Sequence, residues 1–510
     1  MKWAGWIAAL ALLAGPSWAQ SVRTQQGLVK GESADGVAVY KAIPFAVPPV
    51  GPLRWRAPQP PAPWAGVRAQ TKFAPLCMQK GGSNAMLGLP AWPMSEDCLY
   101  LNVWTTPGAR GAPVMVWIHG GSFTSGGTAI PLYDGANLAR KGVVMVSVAY
   151  RLGPFGFLAA PGATGNFGIL DQIAALKWVK ANIAGFGGDP KRVTVFGESA
   201  GAISVSMLCA SPAAKGLFAR AIAESGADFA PPDRGANEAG SFIPTLAVAQ
   251  VRGAEFLKNL GAASVEAARA IPAERVEATR GDLGPAADEA VVAADPWAAY
   301  ERGAYDATPI LIGTNADEGA LFVPAIKPAA YEAQARRAYG PWADKMLAAY
   351  PGKDDVAALR SGRDLFADAV FVWPTRAWAR LAARGGEPKV WLYRFEHVPP
   401  WPASPVFAGW GAIHGSEIAY VFENMPAAGF VQFKDEDRGL AGKVSDYWVN
   451  FARTGDPNGP GLPRWPAFTP AAPREMHLDL APADGPVADQ ARLDLLDDYF
   501  AWRRKEAAAK

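Results

Sequence analysis

The residues Gly197-Glu198-Ser199-Ala200-Gly201 form a G-x-S-x-G pentapeptide, and its serine is a candidate nucleophile. A serine hydroxyl is a poor nucleophile at neutral pH. It needs a base to take its proton, an acid to orient that base, and N–H donors for the oxyanion that forms. The chain holds four histidines: His119, His397, His414 and His477. His119 opens His119-Gly120-Gly121-Ser122-Phe123 directly after an apolar run. A Gly-Gly pair there lets backbone N–H groups face a developing negative charge, so Gly120, Gly121 and Ala200 are the candidate oxyanion donors, and His119 is structural. The order serine, acid, histidine leaves His397, His414 and His477 admissible as the base. His397 beside Pro399-Pro400 and His477 in a strand-like run read more naturally as structural, while His414 sits in a glycine-flanked loop. The acid lies in Gly313–Gly319, GTNADEG, where Asp317 and Glu318 are adjacent and composition does not choose between them.

These residues need a rigid frame. Val114–Ile118 and Val143–Val148 are near-continuous apolar runs, the pattern of strands buried on both faces of a mostly parallel sheet. Pro309–Ile312 and Val390–Tyr393 read the same way, and acids at strand C-terminal ends are where α/β sites are built. Apolar residues from Ile169 to Ile183 recur at helical spacing, and the Gly/Pro stretch 185–190 ends that helix. Val193–Phe196 is a short strand-like run, the pentapeptide follows, and Ala202–Ala210 can begin a helix. Strand, glycine-flanked turn and helix is the context of a nucleophile elbow, where the two glycines permit a close approach of backbone segments. The fold class expected is α/β, a mostly parallel sheet flanked by helices with inserted helical and loop segments. Residues 44–64 are proline-rich and are expected to run as extended surface chain. The charged tail 503–510 is expected to be a fraying helix end or an appended spacer.

Composition restricts the function classes. The chain has 510 residues, half of them hydrophobic, enough for a large core. Forty-nine basic and 47 acidic residues leave a formal charge of +2, with no long basic run, so nucleic acid is not an expected partner. Residues 1–19 read as a signal peptide: one lysine, a short apolar run, a Gly-Pro break, then small residues Ser17 and Ala19, with cleavage expected after Ala19. No other stretch is apolar enough to span a bilayer, so the mature chain, residues 20–510, is expected to be a single exported catalytic domain, periplasmic or secreted. Export permits a disulfide, and Cys77–Cys98 is the natural pair; Cys209 follows an apolar stretch and is expected to be a buried, inert thiol. Three cysteines and four scattered histidines give no metal-ligand spacing, so neither a metal nor another cofactor is expected.

Taken in order, the motifs AIPFAVPPVGPLRW (42–55), SEDCLYLNVW (95–104), HGGSF (119–123), GNFGILDQIAALKWV (165–179), VTVFGESAG (193–201), GTNADEG (313–319), HGSEIAYVF (414–422) and NFARTGDPN (450–458) make the chain resemble the type B carboxylesterases, the carboxylesterase/cholinesterase group, and within it the bacterial p-nitrobenzyl-esterase branch. The resemblance implies an α/β-hydrolase fold and a small-molecule ester substrate. It places Ser199 on the nucleophile, Glu318 rather than Asp317 on the triad acid, His414 on the base, and Gly120, Gly121 and Ala200 on the oxyanion hole. Cys77 and Cys98 fall on the first family disulfide, and Glu198 on a buried acid beside the nucleophile. It does not extend to the choline-stacking tryptophan that cholinesterases carry ten positions before the Cys of this motif: Met86 stands twelve positions before Cys98, and Trp92 six. The family's PVVDG segment is Pro285-Ala286-Ala287-Asp288 here, and stretches 226–250 and 398–412 match little, which leaves the substrate open. Serine carboxylesterase is the activity expected. The alternatives are another acyl hydrolase on the fold (amidase, thioesterase, lactonase or cholinesterase-like) and a catalytically silent binding module.

Overall fold

The computed structural model describes residues 17–80, 92–233, 242–386, 389–427 and 429–508. Twelve strands form one sheet: β1 (Ser17–Trp18), β2 (Glu32–Ala34), β3 (Val37–Pro44), β4 (Tyr100–Thr105), β5 (Ala112–Ile118), β6 (Val144–Val148), β7 (Gly188–Glu198), β8 (Arg220–Glu224), β9 (Ile310–Asn315), β10 (Val390–Phe395), β11 (Arg474–Leu478) and β12 (Ala483–Pro486). Their order is β1-β2-β3-β4-β6-β5-β7-β8-β9-β10-β11-β12. The stretch from β6 to β11 is parallel throughout, and the strands outside it pair antiparallel. A parallel block aligns the C-terminal ends of β5, β7, β9 and β10 on one rim, where α/β sites are assembled.

The apolar runs follow from burial on both faces. Along β5, Val114, Val116 and Ile118 point into one core, and Met115 and Trp117 into the other. Successive strand side chains alternate faces, so a strand covered on both sides must be apolar at every position. The first core is closed by α1 (Phe167–Asn182), α2 (Ala200–Ala210), α3 (Trp373–Ala382) and α5 (Gln490–Ala508), the second mainly by α4 (Asp435–Thr454). The expected helix over 169–183 is α1, followed by a 3₁₀ turn at Ile183–Phe186. The Asp171 carboxylate in α1 accepts from the Arg151 Nε and Nη2 at 2.7 Å each and from its backbone N–H at 3.1 Å, all buried. That pair ties α1 to the chain leaving β6.

Two expectations are corrected. Residues 44–64 do not run wholly on the surface. A 3₁₀ turn at Gly51–Leu53 delivers Arg54 and Trp55 into the interior, where Arg54 pairs with Glu96 through Nε (2.6 Å) and Nη2 (2.5 Å), and Trp55 Nε1 donates to the Pro154 carbonyl at 2.7 Å. Prolines exclude regular ladders but not burial of the residues between them. Nor does the described part of the tail fray at Arg503-Arg504. Arg503 is buried, and Arg504 pairs with Asp295 and donates to the Phe229 carbonyl at 2.6 Å.

Candidate active site

Ser199 occupies the turn between β7 and α2 with φ 56° and ψ −122°, a conformation strained for a residue with a Cβ. Its N–H donates to the Glu224 carbonyl at the end of β8 (2.9 Å), which fixes the turn against the sheet. The two flanking glycines are sterically required. A Cβ on Gly201 would lie 2.0 Å from the Ile118 carbonyl oxygen, and one on Gly197 2.6 Å from the same atom. The elbow is therefore pressed onto β5, whose C-terminal end continues into His119-Gly120-Gly121. A Cβ on Gly120 would fall 3.0 Å from the Ser199 Cβ, so the glycine loop reaches the nucleophile. Gly121 has φ 107°, and the N–H groups of Thr124 and Ser125 both donate to its carbonyl at 3.0 Å, which coils the loop behind the site. Ala200 opens α2, so its N–H belongs to the first turn, whose N–H groups lack intrahelical partners. Gly120 and Ala200 thus border Ser199, and Gly121 continues the same loop.

His119 is buried with its ring stacked on Tyr150 at 4.5 Å, its Nδ1 donating to the Gly120 carbonyl (2.8 Å) and its own carbonyl accepting from the Tyr150 hydroxyl (2.8 Å). Burial pushes it down to about 4 against the opposing Gly120 hydrogen bond, so it stays neutral and shapes the loop.

After β9, Glu318 opens a 3₁₀ turn and is fully buried. Its Oε1 accepts the Asn315 N–H at 2.7 Å, and its Oε2 lies 2.6 Å from His414 Nδ1. Asp317 points elsewhere: its Oδ2 accepts from the Ala412 N–H at 2.9 Å, fastening the segment before His414 to the turn. A Cβ at Gly411 would lie within 1.9 Å of that oxygen. The other two histidines are structural. His397 bridges Asp437 (2.7 Å) and Asp479 (3.1 Å), and His477, within β11, meets Glu396 at 3.0 Å.

The Nδ1–Glu318 contact sets the tautomer in which the neutral imidazole leaves Nε2 free to accept a proton. Nε2 makes no hydrogen bond in the structure and lies 3.2 Å from Glu198 Oε1, an ion-pair distance without hydrogen-bond alignment. Burial alone would lower the His414 pKa, but Glu198, Glu318 and Glu417 outweigh it and lift it to about 9. Glu198 is itself pushed up to about 7, by burial first, with His414 opposing and Glu318 adding to the rise.

Sequence reasoning did not find the acids beneath the site. Glu417 is buried, accepts from Asn315 Nδ2 (2.5 Å) and Ser225 Oγ (3.4 Å), and is raised to about 8 by burial and then by Glu198 and Glu318. Glu224 accepts from Trp448 Nε1 (2.7 Å) and is raised well above its ordinary range by burial and by Glu417. Glu417 follows His414 by three residues in HGSEI, the one signal that was available. The rings of Phe322 and Phe371 lie 5.0 and 4.6 Å from the His414 ring, and Phe371 sits in a π-helical turn, Asp368–Val372, that breaks the helical spacing.

Cys77 and Cys98 form the expected disulfide, and Cys209 is a buried free thiol, its pKa raised by burial and by Asp306. Asn166, at the start of α1, pairs both its amide atoms with the Ala286 backbone, which gives Pro285–Asp288 a structural role. Met86 lies outside the described residues, and Trp92 is half-buried. Among the described residues no group of His, Cys, Asp and Glu has the arrangement of a metal site, and no helix is long and apolar enough to cross a membrane.

Residues 19–494 match the model of the "Carboxylesterase family". The chain is 38% identical over 473 residues to the fumonisin B1 esterase of Sphingopyxis macrogoltabida, covering 87% of this chain and 84% of that protein. It is 37% identical over 481 residues to the para-nitrobenzyl esterase of Bacillus subtilis (strain 168), covering 90% and 95%. A solved PNB esterase structure superposes with a TM-score of 0.83 at 35% identity, covering 94% of this chain and 99% of the other. The fold is the α/β-hydrolase fold of those esterases. The chain belongs to the carboxylesterase family and is a carboxylic ester hydrolase.

Proposed function

We propose that the protein hydrolyses small-molecule carboxylic esters through an acyl-enzyme on Ser199, with His414 as base and Glu318 as its orienting acid. The observation that carries this reading is the 2.6 Å Glu318–His414 Nδ1 contact, which leaves Nε2 unbonded and 3.2 Å from the carboxylate of Glu198, the residue preceding the strained serine. His414 Nε2 takes the Ser199 proton as the hydroxyl oxygen attacks the ester carbonyl carbon. The carbonyl electron pair moves onto oxygen, and the N–H groups of Gly120, Gly121 and Ala200 hold that oxyanion. Collapse expels the alcohol, which takes the proton from His414. Water then attacks the acyl-enzyme by the same route in reverse, releasing the carboxylic acid and restoring Ser199. Glu318 stabilises the imidazolium in both halves, and Glu198 favours the same cation from the Nε2 side.

The relatives carry the names of three different esters, fumonisin B1, para-nitrobenzyl and cocaine, so they support the reaction class rather than one substrate. Phe322 and Phe371 against His414 favour an ester with an apolar group on that side. For residues 1–19 we retain the reading of an export signal. Cleavage after Ala19 would remove β1 from the edge of the sheet. The test of the reaction is hydrolysis of p-nitrophenyl acetate and butyrate by the wild type and by Ser199→Ala. Turnover in the wild type that vanishes in the variant is expected; equal turnover in both removes Ser199 from the mechanism.

A further inference from the structure

A buried side chain from outside the oxyanion loop grips it at two points. Between Gly120 and Gly127 the chain reads Gly-Gly-Ser-Phe-Thr-Ser-Gly-Gly, a stretch with four glycines and little intrinsic rigidity. Gly126, at φ 115°, lies directly behind the donors: a Cβ there would meet His119 Nδ1 at 2.4 Å and the Gly120 carbonyl at 2.6 Å. The buried Gln79 pairs with this residue through both its amide atoms. Its Nε2 donates to the Gly126 carbonyl at 2.8 Å, and its Oε1 accepts the Gly126 N–H at 2.8 Å. The same Nε2 donates to the Cys77 carbonyl at 3.0 Å. Cys77 is bonded through its disulfide to Cys98, two residues before β4, so Gln79 is tied covalently to the central sheet. Leu76 adds a contact to the loop, lying 2.3 Å from where a Gly127 Cβ would stand.

We propose that Gln79 is a positioning residue for the oxyanion hole, and that the Cys77–Cys98 disulfide sets its place, so that the redox state of this bond governs turnover as well as stability. The inference rests on the reading of Gly120 and Gly121 as oxyanion donors. A two-point amide–peptide pair fixes both the position and the tilt of Gly126, and through it the Gly120 and Gly121 peptides packed on it. Loss of a single oxyanion donor costs roughly 10²–10³ in rate, and a displacement of about 1 Å costs on the order of 10². Because these donors act on the tetrahedral intermediate rather than on the bound ester, loosening them lowers kcat and leaves KM nearly unchanged.

Gln79→Met preserves length and removes both hydrogen-bonding atoms. Expected for p-nitrophenyl butyrate are a kcat lower by roughly 10- to 100-fold and a KM within about two-fold of wild type. The Ki of a trifluoromethyl ketone, whose hemiketal oxyanion occupies the hole, rises by the same factor as kcat falls. A merely structural role would reduce the folded fraction without moving that Ki. Cys77→Ser/Cys98→Ser shows the same pattern, and adding Gln79→Met to it costs less than in the intact background, because the two perturbations act on one strut. If Gln79→Met is not recovered folded, the wild type reduced by dithiothreitol below its unfolding temperature decides, with a fall in kcat and a matching rise in Ki expected. Folded Gln79→Met or reduced enzyme with kcat and ketone Ki within two-fold of the oxidised wild type overturns the proposal. Ser199→Ala separates this from the reading beneath it: turnover surviving there sinks the mechanism itself, whereas an inactive Ser199→Ala beside a fully active Gln79→Met sinks only the strut.

Discussion

Replacing Glu198 by glutamine removes the carboxylate nearest the proton-accepting nitrogen of the base while keeping the shape of the side chain. Glu198 Oε1 stands 3.2 Å from His414 Nε2, and both groups are buried. With each charge spread over two atoms the centres are about 4 Å apart, and at an effective dielectric of about 20 the attraction is about 4 kcal/mol. At 1.36 kcal/mol per pH unit this bounds the effect near 3 units. Glu198 is itself raised to about 7, below the range in which His414 titrates, so its charge is present across that limb and the expected shift lies between about 1 unit and that bound. The sign follows from the charge: without the carboxylate the imidazolium is less stable, His414 loses its proton at lower pH, and the acid limb of kcat/KM moves down. For the wild type that limb lies above the ordinary histidine range, because His414 is raised to about 9. The assay is kcat/KM for p-nitrophenyl butyrate from about pH 5.5 to 9.5, which reports ionisations of the free enzyme. A limb that stays within about 0.3 units of wild type, or moves upward, would falsify the assignment of Glu198 as the charge that holds the proton on His414.

Three further outcomes are expected. Glu318→Ala removes the orienting acid and lowers kcat by about 10⁴, measured by initial rates, while residual turnover from the oxyanion hole remains. Gly201→Ala drives a methyl group to 2.0 Å from the Ile118 carbonyl and costs at least about 3 kcal/mol, read as a lower denaturant midpoint or as failure to fold. Asp171→Asn leaves the buried Arg151 guanidinium without its counter-charge and destabilises by roughly 3–5 kcal/mol in chemical denaturation, with little change in KM for whatever fraction stays folded.

The frame of the site was readable because each relevant strand is apolar on both faces and each functional turn is punctuated by glycine. Val114–Ile118 followed by His119-Gly120-Gly121, and Val193–Phe196 followed by the pentapeptide, are strand-and-turn units whose meaning is local. The choice between Asp317 and Glu318 was not local. They are neighbours in the chain, and only the 3₁₀ turn that starts at Glu318 separates them, sending one to His414 and the other to the Ala412 N–H. The resemblance to the family chose Glu318, whose carboxylate lies 2.6 Å from His414 Nδ1, whereas composition had no means to choose. Gln79 and the acids Glu224 and Glu417 were missed for a different reason: their partners, Gly126, Trp448 and Asn315, lie 47, 224 and 102 residues away. Arg54 and Trp55 show the same limit, since a proline-rich composition describes the backbone and not where the intervening side chains point.

The central claim is a covalent intermediate on Ser199. It is tested most directly by incubating the protein with diethyl p-nitrophenyl phosphate, digesting it, and locating the added diethylphosphoryl group by mass spectrometry. Stoichiometric label on the peptide containing Ser199, appearing in step with loss of esterase activity and absent from Ser199→Ala, is the result expected. Full inactivation with the label on another residue, or with no label on the Ser199 peptide, would contradict the account.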